Sequence, residues 1–172
     1  SDHPNIVQFY EIYQDKLSYH FVMELCEGGT ITSRLLQNGP FDELKARKII
    51  FDVLLAINHL HSCGIVHRDI KPDNFLFKSS AADSPVKLID FGLSRKFVRG
   101  GKMRSVVGTP FYVAPELIEK RGYSEKCDIW SAGVMLYLLL AGDYPFRGSC
   151  QLELFERIKL GNYSLKTSPE LM

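Results

Sequence analysis

The stretch that decides the fold begins His67-Arg68-Asp69-Ile70-Lys71-Pro72-Asp73-Asn74 and continues, after a polar gap, as Val86-Lys87-Leu88-Ile89-Asp90-Phe91-Gly92. Two short irregular segments beside apolar runs therefore hold carboxylates, a lysine and a carboxamide. This combination of side chains is typical of a site that handles phosphate and a metal ion.

The spacing within this stretch assigns a chemical part to each polar side chain. Asp69, Lys71 and Asn74 fall on one loop, because Pro72 lacks a backbone donor and holds the residue before it extended. Asp90 ends a predicted strand that can lie beside that loop. Mg²⁺ prefers oxygen ligands, which the Asn74 amide and the Asp90 carboxylate offer together with nucleotide phosphates. Lys71 can neutralise a transferring phosphoryl group, and Asp69 can orient an attacking hydroxyl and take its proton.

On the N-terminal side, the pattern predicts an antiparallel hairpin followed by a hinge and a short helix. Residues 6–13 and 17–25 are rich in β-branched and aromatic side chains and are separated by a polar turn. The paired glycines of residues 26–29 permit a tight turn or hinge. A helix from Thr30 to about Gln37 follows.

The rest of the chain reads as mostly helical. Asp42 is a suitable N-cap for a long amphipathic helix that Cys63-Gly64 closes. The basic run from Arg95 to Arg104 has little to bury, so it is expected to be mobile. The other predicted elements are strands at 75–77 and 86–89 and helices that start at Pro115, span 126–141 and span 151–160.

Composition limits the classes of function. The 172 residues are 45% apolar and 24% charged, which fits one domain or a large piece of one. The formal net charge of +1 gives no field that would attract nucleic acid or an anionic membrane as the main partner. The longest apolar run, 129–141, is too short to span a bilayer. The first residues do not show the charged-then-apolar pattern of a signal sequence, and they look like the middle of a longer chain.

The cysteines indicate a reducing compartment. Cys26, Cys63, Cys127 and Cys150 show no C-x-x-C spacing, so reduced thiols are expected rather than disulfides or a zinc site. This pattern predicts a cytoplasmic protein.

Five motifs then occur in a fixed order. They are His67-Arg68-Asp69 with Asn74, Asp90-Phe91-Gly92, Gly108-Thr109, Ala114-Pro115-Glu116 and Asp128-Ile129-Trp130-Ser131. In this order and spacing they resemble the signature set of the eukaryotic protein kinases, and the resemblance covers essentially the whole chain. It implies an α+β, protein-kinase-like two-lobed fold, here mainly the helical C-terminal lobe plus a β-hairpin of the N-terminal lobe.

The resemblance also implies a domain layout. Residues 1–25 would be a remnant of the N-terminal lobe, 26–29 the hinge and 30–172 the C-terminal lobe, incomplete at both ends. The catalytic loop would span 67–74 and the activation segment 90–116. The 172 residues contain neither a glycine-rich loop nor a strand lysine, so the segment alone is expected to have little or no kinase activity.

Roles for individual residues follow from the same resemblance. Asp69 resembles the catalytic base, Lys71 the lysine of serine/threonine kinases, and Asn74 and Asp90 the ligands of Mg²⁺. Thr109 resembles the threonine that steadies Asp69 and Lys71. The residues expected to contact ATP are Met23 as gatekeeper, Glu24 and Cys26 through their backbone, Leu76 beneath the base, and Thr30, Asp73 and Ile89.

Ser105 occupies the usual activation-loop phosphosite, and Arg68 is placed to pair with a phosphate there. The alternative is that Ser105 is an ordinary exposed loop serine. Thr30 and Leu138 stand where many relatives that prefer basic substrates carry acidic residues, so a strong preference for arginine is not expected. His59 and His61 are expected on the surface of the long helix.

Within the family, the stretches around 74–94 and 133–146 look most like the calcium/calmodulin-dependent group, particularly the calcium-dependent kinases of plants and protists. The implied activity is transfer of the γ-phosphoryl group of Mg-ATP to a serine or threonine of a protein substrate. A calmodulin-like domain or calmodulin outside this chain would supply calcium control, since no EF-hand loop is present. A pseudokinase or nucleotide-binding scaffold remains the main alternative, and a purely structural docking lobe a weaker one.

Overall fold

The computed structural model describes residues 2–98, 100–105 and 107–163. Strands β1 (Phe9–Gln14) and β2 (Tyr19–Met23) pair antiparallel, with Ile12 opposite Phe21. The predicted hairpin is confirmed, with shorter strands. Ile6 lies outside the hairpin and forms a parallel bridge to Leu88, a buried strand residue of the C-terminal part of the chain. Every side chain of the two strands is exposed.

Two helices follow the hinge: the first begins directly after Thr30, close to its predicted start, and the second begins at the predicted cap, Asp42. Helix α1 (Ile31–Asn38) starts after Thr30, whose Oγ1 accepts a 3.0 Å hydrogen bond from the amide of Ser33. Helix α2 (Glu43–Ser62) starts after Asp42, whose carboxylate accepts a 2.9 Å bond from the amide of Lys45. These bonds satisfy amides that the first helical turn leaves unpaired.

The central stretch folds into short strands around a tight turn. Strand β3 (Ile65–Val66) leads to the loop, and β4 (Phe75–Phe77) pairs antiparallel with β5 (Val86–Leu88). The residue before the proline, Lys71, is extended as predicted, with φ −160° and ψ 160°. The expectation of a purely irregular loop is wrong for Pro72–Asn74, which form a 3-10 turn because proline's fixed φ suits a first helical position.

The basic run contains one strand and one buried residue in its described parts. Arg95–Lys96 form strand β6, which pairs with β3, and Met103 is buried against Tyr123. Backbone pairing and one apolar side chain therefore attach the run to the rest of the fold at these points, and its mobility stays a prediction. Arg99, which belongs to this run, lies outside the described residues.

The C-terminal part is helical, as predicted. A 3-10 turn (Pro110–Tyr112) precedes the short helix α3 (Pro115–Ile118). Helices α4 (Cys127–Ala141) and α5 (Gln151–Leu160) end at Gly142 and Gly161, both in the left-handed conformation. Among the described residues, none of the helices combines the length and apolar character that crossing a membrane requires.

The core lies between α2, α4 and β5. Helix α2 packs its apolar face against both of the other elements. The buried side chains at this junction include Val53, Ile57, Leu88, Met135 and Leu139. Because β5 and β3 both rest on α2, the two halves of the central polar stretch are held next to each other.

Candidate active site

The loop after β3 is anchored by one buried carboxylate. Asp128, at the start of α4, is fully buried and accepts backbone hydrogen bonds from His67 (2.9 Å) and Arg68 (2.8 Å). His61 donates a third bond to it, of 2.8 Å, from Nε2. The expectation that His61 is a plain surface histidine is therefore wrong, since its ring is directed from α2 toward Asp128. These three bonds compensate for burying the charge.

Arg68 adopts a left-handed backbone conformation, and its carbonyl packs closely against a glycine of another segment. Its φ is 71°, which is uncommon for a residue with a Cβ. The carbonyl of Arg68 faces Gly108, which itself has a φ of 112°. A Cβ at position 108 would lie 2.8 Å from that carbonyl oxygen, so only glycine lets the two segments approach so closely.

Three side chains beyond this anchor form a closed hydrogen-bonded network. Lys71 Nζ lies 2.7 Å from Asp69 Oδ2 and donates a 2.9 Å bond to Thr109 Oγ1. The Thr109 hydroxyl in turn donates a 2.8 Å bond to Asp69 Oδ1. Each member of the network thus fixes the other two, and both oxygens of the Asp69 carboxylate have defined partners.

Asn74 joins the same network through its amide nitrogen. Its Nδ2 donates to the backbone oxygen of Asp69 (2.8 Å) and to the carboxylate Oδ2 (3.1 Å). Burial alone would raise the pKa of Asp69, but the hydrogen bonds from Lys71, Thr109 and Asn74 outweigh it and the pKa lies below its ordinary value. Asp69 is therefore ionised at neutral pH and can accept a hydrogen bond from a substrate hydroxyl.

Asp90 reaches the edge of this network through the strand before it. The amide of Ile89 donates a 3.0 Å bond to the backbone oxygen of Asn74, which brings the two segments together. Asp90 Oδ1 accepts a 2.8 Å bond from the amide of Gly92, and the side chain is exposed. The backbone oxygen of Asp90 accepts a bond from His67 Nε2.

The oxygens left over at this edge suit a hard cation. The Asn74 amide oxygen makes no hydrogen bond within the described residues, because both bonds of the side chain use its nitrogen. Asp90 Oδ2 is likewise unpaired in that part of the chain. A carboxylate and a carboxamide oxygen are ligands that Mg²⁺ accepts together with phosphates and water. The donor set therefore fits the expected metal.

The hinge lies directly on β4, which places several of the residues expected to contact ATP close together. Gly28 donates a 3.0 Å backbone bond to Phe77, and Phe77 returns a 2.9 Å bond to Gly29. A Cβ at Gly28 would lie 2.1 Å from the Ser79 carbonyl, so glycine is required for this approach. Thr30 bridges Leu76 in the antiparallel sense, which brings the hinge beside the predicted floor of the base site.

Around that floor, the hinge offers free backbone groups. The carbonyl of Glu24 and the amide of Cys26 make no hydrogen bond with any described residue. Met23 is 45% exposed at the end of β2, and Ile89, the residue after β5, is half-buried. Unpaired groups of this kind are available to the edge of a planar ligand.

Two further residues expected to contact ATP have other neighbours in the structure, and their contact with ATP stays a prediction. The Thr30 hydroxyl is engaged in capping α1. Asp73 is exposed on an open groove of about 260 Å³, whose other lining residues include Leu35, Leu138 and Tyr144. Their side chains therefore lie toward α1 and α4, and the groove beside Asp73 is largely apolar.

An ion pair that was not predicted from the sequence joins Lys87 of β5 to Glu24, next to the hinge. Lys87, only 6% exposed on β5, places Nζ 2.7 Å from Glu24 Oε2. Burial acts to raise the pKa of Glu24, but the bond from Lys87 and the nearby charges prevail and the pKa is lowered. The only available signal was a lysine within an otherwise apolar strand.

Ser105 contacts the arginine that precedes Asp69. Arg68 donates a 2.8 Å bond from Nη1 to Ser105 Oγ and a 3.2 Å bond to the hydroxyl of Tyr123. Its Nε donates to the backbone oxygen of Leu93 (2.7 Å), within the segment after Asp90. The exposed Ser105 hydroxyl is thus already beside a guanidinium group.

A hairpin joined through a hinge to a helical lobe, with this polar network at their junction, defines the class of α+β, protein-kinase-like folds. A model of the protein kinase domain matches residues 1–169. The chain therefore belongs to the protein kinase domain family.

Three relatives illustrate the similarity. Calcium-dependent protein kinase 29 of Arabidopsis thaliana is 47% identical over 167 residues, which cover 96% of this chain and 31% of the relative. Calcium-dependent protein kinase 24 of Oryza sativa subsp. japonica is 43% identical, with 98% and 33% covered. Calcium-dependent protein kinase 5 of Plasmodium berghei is 41% identical, with 94% and 29% covered. The chain thus spans about a third of the length of these relatives.

Proposed function

We propose that the protein containing this chain is a serine/threonine protein kinase that transfers the γ-phosphoryl group of Mg-ATP to a protein hydroxyl. The observation that carries the proposal is the closed network of Asp69, Lys71 and Thr109, with Asn74 attached and Asp90 beside it. A nucleotide-binding scaffold has no physical need for an ionised carboxylate held at both oxygens.

Each side chain has a distinct part in this reaction. Asp69 accepts a hydrogen bond from the substrate hydroxyl, which aligns the attacking oxygen. It receives the hydroxyl proton as the bond from that oxygen to the γ-phosphorus forms and the bond from the γ-phosphorus to the bridging oxygen of the ADP leaving group breaks. A loose transition state asks for little basicity, so a lowered pKa at Asp69 does not conflict with this role. Lys71 can turn its ammonium toward the transferring group while Thr109 keeps it next to Asp69.

On the cofactor side, Asn74 and Asp90 would hold Mg²⁺ through their free oxygens, and the Glu24 carbonyl and Cys26 amide would bind the adenine edge. The metal ion would neutralise charge on the nucleotide phosphates. Leu76 and Ile89 would supply an apolar surface beneath the base, with Met23 at its rear.

Calcium control through regions outside this chain is part of the proposal. Its support is the similarity of the chain to calcium-dependent protein kinases, at 41–47% identity. A calmodulin-like domain or calmodulin would be the partner.

A cytoplasmic location is also part of the proposal. It is supported by the four cysteines, which are all free: Cys26, Cys63, Cys127 and Cys150.

The test uses the full-length protein and an Asp69→Asn variant. Wild type is expected to phosphorylate a serine peptide in the presence of Mg-ATP and Ca²⁺, and to lose most of this activity with a calcium chelator. Asp69→Asn should abolish transfer yet retain nucleotide affinity, measured by calorimetry. Wild-type protein that binds nucleotide but never transfers phosphate would instead establish the scaffold function.

A further inference from the structure

One buried phenol connects the two segments that meet at Arg68. The side chain of Tyr123, 3% exposed, donates a 2.8 Å hydrogen bond from its hydroxyl to the backbone oxygen of Ser105. The same hydroxyl accepts a 3.2 Å bond from Arg68 Nη1 and lies 3.5 Å from Ser105 Oγ. Tyr123 therefore contacts both the arginine before Asp69 and the expected phosphosite.

The backbone of Tyr123 provides a second attachment. Tyr123 and Met103 exchange a pair of 2.9 Å backbone hydrogen bonds, and Met103 is buried in the core. The segment of residues 103–105 is consequently fixed at one end by a two-bond bridge and at the other by the tyrosine hydroxyl. Among the described residues, one hydrogen bond joins this segment to the catalytic loop, and Arg68 donates it to Ser105.

These contacts need no phosphate. A tyrosine hydroxyl both donates and accepts, so it can serve the Ser105 carbonyl and the Arg68 guanidinium at the same time. We propose that Tyr123 is a positioning residue that holds Ser105 against Arg68 before Ser105 is phosphorylated. The activation segment is then closed on the catalytic loop in the unmodified protein. The proposal rests on the proposed kinase function for its effect on rate.

A phosphate on Ser105 would change what Tyr123 contributes. A phosphoserine pairs with an arginine through short charge-assisted bonds, which are stronger than a bond between neutral groups. Arg68 would then hold residue 105 directly. The cost of removing the Tyr123 hydroxyl should therefore depend on the phosphorylation state of Ser105, whereas a purely structural tyrosine would show no such dependence.

The kinetic test compares Tyr123→Phe with wild type in the full-length protein, once with unmodified Ser105 and once with phosphoserine incorporated at position 105. We expect Tyr123→Phe to lower kcat about five- to tenfold in the unmodified protein, with an unchanged KM for ATP. With phosphoserine present, the loss should shrink below about twofold. Tyr163→Phe, an exposed tyrosine at the end of the described chain, is the matched control and should be silent in both forms.

A second measurement is independent of catalysis. In the Asp69→Asn background, trypsin cleavage between Arg104 and Ser105 should be about five- to tenfold faster in Tyr123→Phe than in its parent, because cleavage follows the population of the opened segment. If the wild type transfers no phosphate but this difference appears, the proposed function fails and the role of Tyr123 stands. Equal cleavage rates, or an equal kcat loss with and without phosphoserine, would overturn the inference.

Discussion

The carboxylate of Asp128 accepts a 2.8 Å hydrogen bond from the backbone amide of Arg68, sixty residues earlier in the chain. Arg68 has a positive φ, so its backbone conformation is retained only because neighbouring groups impose it. Asp128 is one of those groups, and it holds His67 in the same way. The geometry of the whole catalytic loop therefore depends on a residue of α4.

Replacing Asp128 by Asn is expected to destabilise the folded protein by about 3 kcal/mol, because the amide cannot accept from three donors at once and leaves buried groups unpaired. Urea unfolding of the kinase domain measures the change. Asp83→Asn, at an exposed carboxylate of the β4–β5 loop, is the matched control and should alter stability by no more than about 0.5 kcal/mol. An Asp128→Asn protein as stable as the control would show that the loop does not need this anchor.

Thr109 accepts a bond from Lys71 and donates one to Asp69, so its hydroxyl connects two side chains that also contact each other directly at 2.7 Å. Thr109→Ala should lower kcat about 10- to 100-fold while leaving nucleotide affinity unchanged, since only the positioning of the reacting groups is lost. Thr109→Ser keeps the hydroxyl and should retain most of the rate. Steady-state kinetics with a peptide substrate, alongside nucleotide titration, tests this. If Thr109→Ser and Thr109→Ala lower kcat equally, the rate depends on the methyl group of Thr109 and not on its hydrogen bonds.

Much of this fold follows from local signals in the sequence. Asp42 caps the long helix as predicted, and Pro72 holds Lys71 extended, because each effect acts within a few residues. The ordered motifs likewise identified the side chains of the catalytic network. What remains a prediction is their role, which geometry supports and kinetics must test.

The interactions that were missed join residues far apart in the sequence. His61 and Asp128 are 67 positions apart, and Glu24 and Lys87 are 63 apart. A lysine in an apolar strand reads as solvent-exposed until its partner across the fold is known. The pairing of β3 with β6 was missed for the same reason, since two residues of basic sequence carry no strand signal of their own.

The Glu24 and Lys87 pair makes a prediction about stability. Glu24→Gln leaves the Lys87 ammonium buried without its counter-charge, so the free energy of unfolding should fall by about 3 kcal/mol. Adding Lys87→Met should recover at least half of the loss, because the double variant buries no unpaired charge. Urea titrations of the four proteins in this cycle measure the coupling. A double variant less stable than Glu24→Gln alone would contradict the explanation.

His67 has a neutral ring that the structure holds in one tautomer. Nε2 donates to the backbone oxygen of Asp90, so Nδ1 carries no proton and accepts a 3.3 Å bond from the amide of Asp69. The side chain is 1% exposed and packs edge-on against Phe91. Burial lowers the pKa of His67 below its ordinary 6.5, although the carboxylates of Asp128, Asp69 and Asp90 act in the opposite direction.

The lowered pKa of His67 predicts a loss of stability in mild acid. Below pH 6.5 the unfolded chain takes up a proton that the folded ring resists, so the free energy of unfolding should fall by about 1.4 kcal/mol per pH unit until the folded pKa is reached. His67→Gln keeps a donor for Asp90 and does not titrate, so its profile from pH 7 to 5 should be flatter. The protein with His67 and the His67→Gln variant both carry His3→Gln as background. This substitution removes a second histidine whose pKa is lowered, by burial and by the nearby His59. The exposed His20→Gln is the matched control and should retain the slope. Urea unfolding at half-unit intervals of pH measures the profiles, and identical slopes with and without His67 would assign the acid sensitivity to another group.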